Sequence, residues 1–486
     1  MGAIRRALRQ RGLRKLLAAG LISTTGDWVL RVGLAYYVYV LTGSTLASAL
    51  ILLASFVPQI VLGSVAGVFV DRWDTRRTMI VSNLLLAGGL LPLLAVRHAG
   101  QAWIIYAVLA WEGCVQQFFT PAEQSMLPGL VDDDHLVTAN ALNGQSGGLS
   151  RLIGSAAGGI TAAAGGITAL AFVDIASFLI SAALIARIST ARREAGTPRT
   201  GPPDTRPATR SLGRRLALLR AEWSDGLRMA TRQRVLRVIL IFLLITCVGE
   251  GIMSTLFAPF VRSVLHGSAA DYGFIVSAQA VGGIAGGLIA ALIGNRVRPS
   301  VLLGWGAVVF GAVDLVMFLY PLAWVAVWPA AVCMIVVGLP GALTMAGAMT
   351  LIQRDTAGSH RGRVFGALGA VEGVAVVAGT VAAGFLGQTV GIIPVLAVQG
   401  GGYVAAGLLV VVALRHEAPG RQRRKPGPQA RQPDPQVELP GPRPGPQVEL
   451  PGPQVRQPGS QAPCPDPQAQ PGVLAARIGQ DSKLPG

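Results

Sequence analysis

Runs of about 20 mostly apolar residues recur twelve times along this chain, and a run of that length is what a helix needs to cross a bilayer. They fall near 16–41, 46–70, 78–97, 101–119, 143–165 and 167–188, and again near 236–262, 270–294, 300–320, 323–350, 364–388 and 391–414. A backbone in hydrocarbon has to satisfy its own hydrogen bonds, so spans of this kind are helical. Charged residues make up 13% of the chain, about half the share of an average soluble domain. The expected fold class is an all-α membrane protein with twelve transmembrane helices.

The net charge of +17 is placed for topology, not for nucleic acid. Arginines crowd the N-terminus (Arg5, Arg6, Arg9, Arg11, Arg14) and the stretch from Arg187 to Arg237. They recur in short loops at Arg72, Arg76 and Arg77, at Arg296 and Arg298, and at Arg354, Arg361 and Arg363. The alternate loops hold few, chiefly Arg97 and Arg262. This positive-inside pattern places both termini and the long central loop in the cytoplasm. The first run is too long for a signal-peptide core and reads as a retained helix. Cys114, Cys247 and Cys333 lie within apolar spans and Cys464 in a polar tail, which gives no disulfide framework.

The spans divide six and six about a central loop, and the halves look like copies. Gly26-Asp27 answers Gly249-Glu250, Gly43-Ser44 answers Gly267-Ser268, and Asp71-Arg72 answers Asn295-Arg296. Gly154 and Gly159 answer Gly379 and Gly384. The offset stays between 223 and 225 residues throughout. Two such halves in parallel repeat build one large transporter class, with the binding site between them. The expected units are a six-helix half at 1–188, a cytoplasmic loop at 189–235, a second six-helix half at 236–416 and a tail at 417–486. Within the loop, the stretch from Leu212 to Trp223 has apolar and basic faces at helical spacing. Such a helix suits the inner leaflet, or a solvated position against the protein. The tail is Pro-rich and repeats PQVELPGP at 435–442 and 446–453, a composition expected to stay disordered.

After the second span comes Gly67-Val-Phe-Val-Asp71-Arg72-Trp-Asp74-Thr-Arg76-Arg77. Here the chain resembles the major facilitator superfamily, whose loop between helices two and three carries Gly-x-x-x-Asp-Arg-x-Gly-x-Arg-Arg or close variants. The Asp-Arg-Trp-Asp form resembles its drug–proton antiporter subgroup, which includes macrolide and enterobactin exporters. Further points of resemblance are Leu41-Thr-Gly-Ser44, Gln124-Ser-Met-Leu-Pro128-Gly-Leu-Val131, Ala139-Asn140 and Arg361-Gly-Arg363-Val-Phe365. The chain departs from the pattern at Asn295, where an aspartate would stand. It departs again at Arg151-Leu-Ile-Gly154-Ser155, which lacks the Gly-Pro of the family's exporter motif. Physically, Gly67 lets two helices approach closely. Asp71 is expected to pair with a nearby arginine or cap a helix N-terminus. Gly67, Asp71, Arg72, Arg76 and Arg77 are thus a candidate gating latch that breaks when the protein opens inward.

Charges inside spans are costly and mark function. Asp27 and Arg31 stand four apart on the first span, so they share a face and are expected to pair. Glu112 lies in the fourth span, Glu250 in the seventh and Glu372 in the eleventh, while Arg151 opens the fifth. The resemblance implies that helices one, four, seven and ten line the cavity, which favours Asp27, Glu112 and Glu250. The candidate proton and substrate cavity is therefore Asp27, Arg31, Glu112, Arg151 and Glu250. A buried carboxylate without a partner can hold a proton near neutrality. Glu112 and Glu250 show no partner in the sequence, and Glu250, set opposite Asp27 by the repeat, is the first choice of carrier. Asp314 and Asp174 are read as structural.

The resemblance implies a plasma-membrane secondary transporter that exports a small molecule (drug, siderophore or secondary metabolite) by alternating access in exchange for protons. It is expected to work as a monomer, with no cofactor or metal and no nucleic-acid partner. No Walker phosphate loop or other enzyme signal is present. Movement of a lipid or lysolipid, or a non-transporting scaffold or sensor, are the alternative readings.

Overall fold

The computed structural model describes residues 9–70, 73–132, 135–188, 227–229, 231–294, 296–356 and 361–415. The central-loop helix expected at Leu212 to Trp223, the Pro-rich tail, Asp71, Arg72 and Asn295 lie outside them. The described residues form twelve long helices. In the first half these are α1 (Arg11–Thr42), α2 (Thr45–Val70), α3 (Thr75–Gly89) and α4 (Ala102–Met126). The helical run Leu136–Ala186 follows, broken at Gly166 into α5 (136–165) and α6 (167–186). The second half holds α7 (Arg234–Pro259), α8 (Ala269–Ile293), α9 (Pro299–Leu319), α10 (Trp328–Asp355), α11 (Arg361–Thr389) and α12 (Ile392–Ala413). Among the described residues, eight helical runs are long and apolar enough to cross a membrane. Neither α1 nor α4 is among them, and these two carry Asp27, Arg31 and Glu112.

Several boundaries differ from the sequence reading: α1 begins at Arg11, α3 ends at Gly89 and α5 begins at Leu136. The fourth span does not stop at 119: α4 continues through Pro121 to Met126, since a proline within a membrane helix is tolerated where neighbours satisfy the freed carbonyl. The tenth begins at Trp328, after a short 3₁₀ turn at Tyr320–Leu322.

The repeat is visible atom by atom. Ser44 caps α2, its Oγ accepting from Ala47 N at 3.3 Å, and Ser268 caps α8 in a reciprocal box with Asp271. Gly154 faces α1, where an added Cβ would lie 2.6 Å from Thr25 O; its counterpart Gly379 meets Val248 of α7 in the same way. Gly159 faces α8 of the other half and Gly384 faces α2 of the other half. Both joints into a sixth helix use a glycine with positive φ, Gly166 (58°) and Gly391 (106°). Side chains are strained there, and glycine is not.

The cores show how the halves meet. At the end remote from Arg11 and Ala413, one apolar core runs through both halves, from Leu30 and Leu170 to Leu256, Phe260, Phe318 and Leu396. At the end that carries Arg11 and Ala413 there are two separate cores. One gathers Leu13, Leu16, Met79 and Ile185; the other gathers Leu236, Ile239, Leu351 and Val410. Hydrogen bonds follow the same division. Tyr36 Oη donates to Gly267 O (2.8 Å), Tyr39 Oη meets Ser263 Oγ (2.6 Å), Thr45 Oγ1 donates to Gly384 O (2.8 Å) and Gln388 Nε2 donates to Ser44 Oγ (2.6 Å). Deeper in, Ser277 Oγ donates to Leu152 O at 2.6 Å and Arg151 donates to Gln279. The halves are therefore joined at the remote end and down to mid-depth.

Candidate functional site

A cavity of about 420 Å³ lies between α1 and α4, with Asp27, Arg31, Gln116 and Glu123 in its wall. The α1 residues sit at mid-depth, and the α4 residues run from there toward the end with two separate cores. Beyond Arg31 a second cavity of about 100 Å³ is lined from both halves, by Ser48 and Ser55 of α2 and by Ser254 and Thr255 of α7. Arg31 belongs to the walls of both, so its guanidinium stands between the larger space and the smaller one.

Arg31 Nη2 lies 3.6 Å from Glu112 Oε1, with the arginine half exposed and the glutamate 5% exposed. Asp27 instead takes the amide of Gln116, whose Nε2 donates to Oδ2 at 3.3 Å; its Oδ1 is buried without a partner. The expectation of an Asp27–Arg31 pair, with Glu112 alone, is thus reversed. The long arginine side chain reaches across to α4, where Glu112 is buried, and Gln116 one turn along α4 supplies Asp27. Arg31 still acts electrostatically on Asp27.

Asp174 of α6 stands behind this group. It is fully buried, accepts from Ser177 Oγ at 2.9 Å, and fills the space where Gly26 lacks a side chain. Asp27, Glu112 and Arg31 all lie within its electrostatic reach. In the second half Gln399 of α12 holds the equivalent place against Gly249, and its Nε2 donates to Asp314 Oδ2 at 2.7 Å.

Arg151 crosses between the halves. It donates to Gln279 of α8 and lies 5.2 Å from the centre of the Trp28 ring, a cation–π arrangement. Glu250 is exposed on α7, hydrogen-bonded to Ser254 and within electrostatic reach of Arg151 and Glu372. The nearby arginine, absent from its own helix, comes from α5 and acts on it electrostatically without a salt bridge.

Of the expected latch, Gly67 falls in the last turn of α2. Arg76 donates through Nε to Ile185 O at 3.3 Å and through Nη2 to Ala186 O, binding the start of α3 to the end of α6. Lys15 donates to Arg187 O beside them. Arg77 contributes its backbone N–H to the Asp74 cap at 2.7 Å. Those described contacts stay within the first half.

Gln116, Glu123, Lys15 and Gln279 were not singled out by the sequence. For the first two a signal existed. Glu112, Gln116 and Glu123 stand four and then seven apart, on one face of a helix, once α4 is allowed to continue past Pro121.

A family model described as transmembrane secretion effector matches residues 5–446. The chain belongs to that family. It is a branch of the major facilitator superfamily, so the protein is a multi-pass membrane transporter. The multidrug efflux pump Tap of Mycolicibacterium fortuitum is 27% identical over 78% of this chain and 89% of its own. Macrolide efflux protein A of Streptococcus pyogenes is 20% identical over 76% and 88%. Among solved structures, a bacterial homologue of the iron transporter ferroportin in an inward-facing state superposes with a TM-score of 0.66. It is 14% identical and matches 83% of this chain and 98% of its own, a likeness of fold. These transmembrane secretion effector relatives bear out the drug-efflux subgroup indicated by the Asp-Arg-Trp-Asp motif.

Proposed function

We propose that the protein exports a small organic molecule from the cytoplasm in exchange for protons, by alternating access. The observation that carries this reading is the pairing of one shared core at the remote end with two separate cores at the other. With the arginine-rich loops on the cytoplasmic side, that is a carrier open to the inside. Rocking of the halves about the α5–α8 and α2–α11 contacts would open the remote end and close the inner one. The efflux activities in the names of Tap and macrolide efflux protein A favour the outward direction.

Asp27 is the better proton carrier in this scheme. Glu112 is paired with Arg31, while Glu250 and Asp27 each feel an arginine only electrostatically; of these two, Asp27 has an amide partner and a buried oxygen without a partner that can accept a proton. Glu250, first choice from the sequence, becomes the second. The test is purified protein in liposomes with an imposed pH gradient and a pH-sensitive dye inside. A macrolide added outside should discharge the gradient with the parent and not with Asp27→Asn. Discharge that survives Asp27→Asn but not Glu250→Gln would move the carrier to α7. Labelled lysolipid crossing with no gradient applied would replace the reading by lipid transport.

A further inference from the structure

Glu123 is a carboxylate in the cavity wall that neither the Arg31–Glu112 pair nor the proton scheme uses. It lies on α4 against Gly20 of α1, its Oε1 3.1 Å from where a Cβ on Gly20 would stand. The absence of a side chain at Gly20 leaves room for the carboxylate beside α1. Gly20 precedes Asp27 by seven residues, about 10 Å of helix rise. Glu123 and Asp27 thus mark two depths of one cavity, Glu123 nearer the open end.

The charges in this wall do not balance. Among the described residues that line it Arg31 is the one cation, and its guanidinium is 3.6 Å from Glu112. Among the described residues no lysine or arginine forms a salt bridge with Glu123. Asp27 is nine-tenths buried with one oxygen unpartnered and lines the same space. The remaining polar lining, including Thr24, Gln59 and Gln117, is neutral. Trp28 and Phe119 add apolar surface. A space whose described lining has surplus carboxylate, neutral hydrogen-bonding groups and the Phe119 face favours an organic cation and disfavours an organic anion, while the Trp28 face is already taken by Arg151.

We infer that this cavity recognises its substrate through a positive charge, and that Glu123 is the specificity-determining residue that receives that charge at the open end before it reaches Asp27. The inference rests on the export reading for its purpose, but its test needs neither a gradient nor turnover. Tetraphenylphosphonium and tetraphenylborate match in size and shape and differ in the sign of the charge. Binding of each to the full chain in lipid nanodiscs is measured by equilibrium dialysis, with protein-free nanodiscs subtracted. The parent should bind the cation at least tenfold more tightly than the anion. Glu123→Gln should weaken cation binding about tenfold and leave the anion unchanged, and Glu123→Asp should restore most of the loss. Equal binding of the two ions, or cation binding that Glu123→Gln does not alter, overturns the inference. A Glu123→Gln protein that has lost cation binding, with Glu123→Asp equally impaired, also overturns it, because position and not charge then decides. Cation selectivity without proton exchange in the liposome assay would remove the antiport reading and leave this one standing. Proton-driven export of neutral compounds that ignores Glu123→Gln would do the reverse.

Discussion

Arg31 and Glu112 hold α1 to α4 across 3.6 Å, although Asp27 is the carboxylate one turn from Arg31 on its own helix. Arg31 lines both cavities, so the pair ties the packing of the two helices to the cavity wall.

Removing one partner should therefore be worse than removing both. Arg31→Met leaves Glu112 buried and unpaired, with an expected loss of about 1–3 kcal/mol. Adding Glu112→Gln should recover at least half of that loss. Thermal unfolding of the three proteins in detergent measures it, and additive losses would contradict a direct pair.

Gly159 and Gly273 meet with backbone against backbone, a Cβ on Gly273 lying 2.5 Å from Ser155 O. Gly159→Leu should force the halves apart at the remote end. In a background without native cysteines, Ser263→Cys should then label several-fold faster with a membrane-impermeant maleimide. Unchanged labelling would show that this contact does not set the closed state.

Arg76 caps the last carbonyls of α6, where a cation also meets the negative end of the helix dipole. Arg76→Ala should cost about 0.5–1.5 kcal/mol in detergent unfolding and leave proton exchange per folded molecule near the parent's. Asp71→Asn, by contrast, should reduce exchange at normal expression if the latch operates between the halves. Equal effects on exchange would assign both residues the same role.

Asp314 and Gln399 share a buried hydrogen bond of 2.7 Å. Asp314→Asn keeps an acceptor oxygen and should retain transport. Asp314→Leu strands the Gln399 amide and should destabilise by about 1–3 kcal/mol. Loss of gradient-driven efflux in Asp314→Asn would make this a coupling residue.

The arginine pattern predicts that the N-terminus, the loop near residue 200 and the segment after Ala413 share the cytoplasmic side. Reporter fusions at 200 and after 415 measure this, and an external signal at either would invert the opening assigned to the cavity.

The spans, the break after 165 and the glycines that later prove to be helix contacts were legible because hydropathy and repetition are written along the chain. Gly154 and Gly159 could be matched to Gly379 and Gly384 without knowing what they touch. The partner of Arg31 could not be read, since a long side chain chooses among helices that only the fold brings together. Glu123 was hidden because the fourth span was read as ending at 119, while the helix continues to Met126. The remote-end bonds of Tyr36 and Thr45 go to backbone carbonyls, which every residue owns and no sequence pattern announces.

Gly166 and Gly391 stand at the same place in the two halves, each a corner between one helix and the next, each with φ positive. A corner of one residue at Gly166, or of two at Val390 and Gly391, has little slack. In the proposed rocking, α6 should follow α5 when it slides on α8, and α12 should follow α11, each pair acting as a bent lever rather than two rods on a string. Lengthening either corner by a few flexible residues would let the contact move while the wall stayed still.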